Sequence, residues 1–125
     1  MRKTIAVALS IAVIAPAQAA APGTAQNFLD RANRLKAKGP FALVDKDYGR
    51  LKAEANAAGK SIGDDRIAAE KAGRPILYCS PRPRADLGQT EFLNGLAAIP
   101  AAERSRISLK SAMLRILQKK YPCSR

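Results

Sequence analysis

Histidine and tryptophan are both absent from this chain of 125 residues. Without histidine the chain lacks the commonest general base near neutral pH and the commonest metal ligand. Aromatic residues number only three Phe and three Tyr, so a core built from these side chains is thin. The eight glycines form no phosphate-cradling loop. Acid is scarce beside base: ten Asp and Glu stand against 22 Lys and Arg, a formal net charge of +12. Two close carboxylate pairs remain, Asp45/Asp47 and Asp64/Asp65. Each reads as a helix-start signal rather than a calcium site or an acid–base pair, because Asp favours the positive end of the helix dipole. The expectation is a protein that is not an enzyme, with no catalytic residue, no metal site and no cofactor.

Long apolar runs are also missing. The longest, Ile5 to Ile14, is interrupted by Ser10 and is too short to span a bilayer. It follows Arg2 and Lys3 and precedes the small-x-small triplet Ala17-Gln18-Ala19. That order is the pattern of a secretory signal peptide, expected at residues 1–19, with a single domain at 20–125. No cysteine directly follows the run to take a lipid anchor, and no Arg-Arg pair marks a twin-arginine route. Export to the periplasm by the general route is the expectation. Cleavage removes Arg2 and Lys3 and lowers the net charge by two. No integral membrane segment is expected after that removal.

Cys79 and Cys123 are the two cysteines, each beside a proline-marked break at Ser80-Pro81 and Tyr121-Pro122. In an exported chain they most simply pair with each other. An intermolecular bridge or a reactive thiol are the alternatives. An internal bridge would close a loop worth about 4 kcal/mol in the loop-entropy account. It would also leave no thiolate for catalysis or for a metal.

The rest of the chain reads as helices. Thr24 caps a helix over about Ala25 to Lys38, with Phe28, Leu29, Ala32 and Leu35 at helical spacing and Gly39-Pro40 as its stop. The run Phe41-Ala42-Leu43-Val44 reads as a hydrophobic connector dropping into the core. Asp45 caps a second helix whose stripe is Tyr48, Leu51, Ala55, Ala58 and Ile62. Beyond Ile62, residues Ile67, Ala68 and Ala69 lie off that phase. The favoured reading is one long helix to about Ala72 with a soft middle at its glycines; the alternative is two pieces broken near Ser61 to Asp64. Ile76 to Cys79 reads as an apolar, strand-like segment against the core. Pro81 and Pro83 hold the next residues extended. A third helix covers Gln89 to Ala98, with Leu93, Leu96 and Ala97 on one face, and Ile99-Pro100 ends it. Glu103 lies in the connector that follows. Ser108 caps a fourth helix to about Lys120, with Leu109, Met113, Ile116 and Leu117 inward. The fold class is all-α: a small bundle of three to four helices strapped by one disulfide.

From Arg104 onward the bases Arg104, Arg106, Lys110, Arg115, Lys119, Lys120 and Arg125 occur without one acid. This reads either as a solvated helix face or as a cationic face for an acidic partner such as lipopolysaccharide phosphates or anionic lipid. Nucleic acid is not an expected partner, since an exported chain without interleaved aromatics offers no stacking platform.

The pattern of Cys79-Ser80-Pro81, a helix around Glu91-Phe92-Leu93, a turn at Ile99-Pro100 and the ending Leu117 to Cys123 resembles the C-terminal half of the Tai-type immunity proteins. The resemblance covers about residues 76 to 123. It implies a small exported helical protein of type VI secretion that blocks a peptidoglycan-cleaving amidase toxin in the periplasm, commonly as a homodimer. It carries over Cys79 and Cys123 as the disulfide. The proline-stiffened loop Ser80 to Gly88 is then the expected partner contact, through Arg82, Arg84 and Asp86. The alternative is an envelope-associated structural or stress protein whose basic face meets lipopolysaccharide or cell wall.

Overall fold

Three of the four long helices begin where a side-chain oxygen takes a free backbone amide. Thr24 accepts from Asn27 N–H at 3.2 Å, Asp45 from Asp47 N–H at 2.8 Å and Ser108 from Ser111 N–H at 3.1 Å. Such caps satisfy amides that have no partner within the helix. In the computed structural model, which describes residues 20–81 and 85–124, these starts open α1 (Ala25–Ala37), α2 (Lys46–Lys71) and α5 (Leu109–Lys120). Between them lie α3 (Gln89–Ala98) and the single turn α4 (Ala101–Arg104), and a 3-10 turn (Gly39–Val44) joins α1 to α2. The expected signal peptide at 1–19, together with Arg82, Arg84 and Arg125, lies outside the described residues.

The long helices form a ring of neighbours: α1 packs on α2 and α3, and α5 packs on the same two. One short antiparallel bridge, Thr24 to Ser108, brings the starts of α1 and α5 side by side. There Ala25 N–H donates to Ile107 O and Leu109 N–H donates to Gly23 O. The described residues are otherwise helix and connector, so the fold is all-α with a single cystine. Inside the ring Phe28 and Phe92 stand 5.6 Å apart between ring centroids, tilted by 60°. Leu96 and Ala112 are fully buried beside them. None of the described helices is long and apolar enough to cross a membrane.

Helix α1 buries the expected Phe28, Leu29, Ala32 and Leu35. Helix α2 is continuous across Ser61 to Asp64. Asp64 is not a helix start: it pairs with Lys60 one turn back, and Asp65 reaches Lys110 on α5. The stripe does not lose its phase after Ile62 either. It continues four residues on at half-buried Arg66 and three further at buried Ala69. Gly73, at φ 66°, then ends the helix in a doubly bonded C-terminal turn. Its N–H donates to Glu70 O, and Arg74 N–H donates to Ala69 O.

Three further expectations are corrected. The connector Phe41 to Val44 does not drop into the core, since Phe41, Leu43 and Val44 are 74%, 69% and 82% exposed. A 3-10 turn places successive residues about 120° apart, and only Ala42 of the four packs against the core. On α3 it is Phe92, not Ala97, that joins Leu96 in the interior. The segment Ile76 to Cys79 forms no strand; Tyr78 is buried while Leu77 and Cys79 face outward.

Candidate functional site

The cystine and the described residues of the loop that leaves it, 79–81 and 85–88, are held by several bonds. Cys79 and Cys123 are bonded, with their Cα atoms 4.9 Å apart, and both are exposed. Beside the bridge, Cys79 N–H donates to Tyr121 O at 2.8 Å. The helix α5 thus ends at Tyr121-Pro122 in a position fixed by one covalent and one backbone bond.

The loop's first residues are held from α2. The Arg66 guanidinium lies over the Tyr78 ring, 5.0 Å from its centroid, and donates to the hydroxyl oxygen of buried Ser80. Glu70 sets its rotamer through a 3.2 Å ion pair. A planar, forked cation can serve these three partners together, which a lysine cannot.

The far end is held from α5. Tyr121 OH donates to Asp86 O at 2.9 Å and accepts from Asp86 N–H at 3.2 Å. Lys120 Nζ donates to the same carbonyl at 2.7 Å and pairs with Glu91 at 2.7 Å. Glu91 accordingly holds the Lys120 ammonium above its ordinary pKa. Of the three predicted contact residues, Asp86 is described: its backbone is clamped and its side chain is exposed, with no ion pair among the described residues. Of the clamping residues, Lys120 was read only as one of the C-terminal bases and Tyr121 only as part of the break before Pro122, and Arg66 was not singled out in the sequence. Arg66 alone left a signal there, because it occupies the next inward position of the α2 stripe.

A groove of about 610 Å³ lies on the same side, between α2, α5 and the segment 74–78. Ile62, Ala69, Tyr78 and Leu114 supply apolar wall, and Arg66, Arg74 and Lys110 supply charge. Two of those cations are already engaged: Arg66 as above, and Lys110 with Asp65 at 2.6 Å. The groove is therefore apolar with one uncommitted cation, Arg74.

The C-terminal run of bases is largely internal in its bonding. Arg104 donates to Gln26 Oε1 at 2.8 Å, to Ala97 O at 3.0 Å and to Ile99 O, which ties off the end of α3. Arg115 pairs with Glu103, Lys110 with Asp65 and Lys120 with Glu91. A stretch without acids in sequence thus meets acids in space at Lys110, Arg115 and Lys120.

The carboxylates are spent in the same way. Among the described residues only Asp30 and Asp86 lack an ion pair, and Asp30 accepts a 2.7 Å hydrogen bond from Gln26. They sit on different elements, so no two free carboxyl groups face a common space. Arg31 of α1 takes both Asp47, at 2.6 Å, and Glu54, at 2.8 Å, from α2. Its charge holds the Asp47 carboxyl below the ordinary value, and Asp47 in turn raises the guanidinium. No group of three or more Asp, Glu or Cys is placed to hold a metal ion among the described residues. No protein-family model matches this sequence, and no curated protein or solved structure matches it.

Proposed function

We propose that the chain is a non-enzymatic periplasmic binding protein of the immunity type, which inhibits a secreted amidase by seating its 80–88 loop in the enzyme's cleft. The observation that carries this reading is the clamping of that loop at both ends. Cystine, Arg66 and the Cys79–Tyr121 backbone bond hold its start, and Tyr121 with Lys120 holds Asp86 near its finish. Holding both ends of a loop before binding reduces the conformational entropy left to lose on binding, which favours occlusion of a cleft. Pro81 and Pro83 add stiffness, and Arg82, Arg84 and Asp86 offer both signs of charge.

The test is affinity purification of the oxidised chain from periplasm, with a toxin challenge alongside. The expected result is a co-purifying cell-wall amidase and protection of the producing cells. Alanine at Arg82, Arg84 and Asp86 together should abolish both while leaving the helical spectrum unchanged. Recovery of no partner above background, with no protection, overturns the proposal.

A further inference from the structure

The 3-10 turn between α1 and α2 displays three large apolar side chains that the fold does not use. Phe41, Leu43 and Val44 are each more than two-thirds exposed, while Ala42 anchors the turn to the core. The turn is held in shape: Pro40 sits in its first positions, Phe41 N–H donates to Lys38 O at 3.3 Å, and Asp45 N–H donates to Ala42 O at 3.2 Å. Its display of apolar groups is thus a fixed knob.

Exposed cations flank the knob along the chain. Lys36 lies in the last turn of α1, Lys46 opens α2 and Arg50 follows one turn later; none of the three has an ion pair among the described residues, although Arg50 acts electrostatically on Asp45 and Asp47. The nearby acids are already neutralised, Asp45 by Lys38 and Asp47 by Arg31. An exposed apolar tip flanked in the chain by exposed cations suits the headgroup layer of an anionic bilayer: the tip can reach the acyl boundary while the cations meet lipid phosphates. A second copy of this chain is a poor occupant, because a symmetric contact through the knob would bring like-charged flanking residues of the two copies toward each other.

We infer that residues 36–50 form a docking surface for an anionic lipid membrane, with Phe41, Leu43 and Val44 inserted and Lys36, Lys46 and Arg50 on the phosphates. The site lies at the opposite end of α2 from the Arg66–Ser80 contact, about 30 Å away at 1.5 Å per helical residue. The chain would then stand on the membrane by one end and present the 80–88 loop at the other. This surface is independent of the loop reading, and its test touches no loop residue.

The experiment uses the oxidised chain starting at residue 20, sedimented with vesicles of phosphatidylglycerol and phosphatidylcholine or of phosphatidylcholine alone. Binding is expected to the anionic vesicles only, reduced about fivefold by Lys46→Gln, the effect of one cation near a charged surface. Serine at Phe41, Leu43 and Val44 together should remove binding without changing the helical spectrum. Because the chain has no tryptophan, Phe41→Trp gives a single reporter, whose emission should shift to the blue and be quenched by brominated acyl chains. Equal binding to both vesicles, binding that survives the triple serine variant, or an unquenched reporter each overturns the inference. So does a concentration-dependent dimer that the triple variant abolishes, in the absence of vesicle binding; the knob is then a contact between copies.

Discussion

At the scale of single residues, Gly95 shows how closely α3 and α5 approach. A Cβ added there would meet Ile116 Cδ1 and Cγ1 at 2.8 Å and Cγ2 at 3.1 Å. Alanine normally stabilises a helix interior relative to glycine by about 1 kcal/mol, but forced overpacking costs about 1–3 kcal/mol. With the stiff, branched Ile116 in the way, Gly95→Ala should destabilise the protein. In an Ile116→Ala background the same change should become stabilising, and a double-mutant cycle by urea denaturation reads the reversal of sign. Arg31 and Asp47 give a second residue-scale expectation. Arg31 lowers the Asp47 pKa below its ordinary 3.8. The contribution to stability is therefore complete above about pH 4 and is lost as pH falls through the lowered folded value. No histidine titrates between pH 5 and 8. The melting temperature should thus be level across that range and fall below pH 4, and Asp47→Asn should lower the plateau and flatten part of the acid limb.

At the scale of elements, α2 is long and continuous although it carries Gly49, Gly59 and Gly63. A Cβ at Gly63 meets no atom within 4 Å. Gly63→Ala should therefore raise stability by about 0.5–1 kcal/mol and the melting temperature by a few degrees. A loss of stability on thermal unfolding would show that the helix is interrupted there. The ends and inner faces of α1 and α5 were legible in the sequence because caps and apolar spacing are local signals, carried by Thr24, Ser108 and residues such as Phe28 and Leu117. The length of α2 was legible, but the continuation of its inward stripe was not, because the position after Ile62 is filled by Arg66, whose planar head packs on Tyr78. Periodicity read from apolar residue types passes over such an arginine. The outward-facing 41–44 turn escaped for the opposite reason: three large apolar residues imply burial unless the turn's geometry is known. The clamp on Asp86 joins groups 34 and 35 residues apart, and no local pattern encodes it.

At the scale of the whole molecule, the cystine links the connector after α2 to the end of α5 across a sequence separation of 44. A closed loop of that length restricts the unfolded chain and stabilises the folded one by roughly 4 kcal/mol in the entropic account, and by about 2–4 kcal/mol in common experience. Small domains have only about 5–15 kcal/mol in total, and this one has few aromatic side chains with which to fill its core. Cys123→Ala should therefore lose about 2–4 kcal/mol of unfolding free energy and carry part of the population into the unfolded state near growth temperature. Because both half-cystines are exposed, a reductant should reach the bridge without prior unfolding, and the reduced wild type should match the Cys79→Ala, Cys123→Ala double variant in stability. The two effects of the bridge can be separated. If it acts mainly on the unfolded chain, hydrogen exchange at Asp86 will change no more in the reduced protein than the global stability change requires. If it also holds the loop, exchange at Asp86 will accelerate beyond that while α1 follows global unfolding. We expect the second result, since the Tyr121 hydroxyl that engages Asp86 belongs to the same short segment as Cys123. Alkylation of two thiols in the native, unreduced protein would remove the bridge and this account of the loop together.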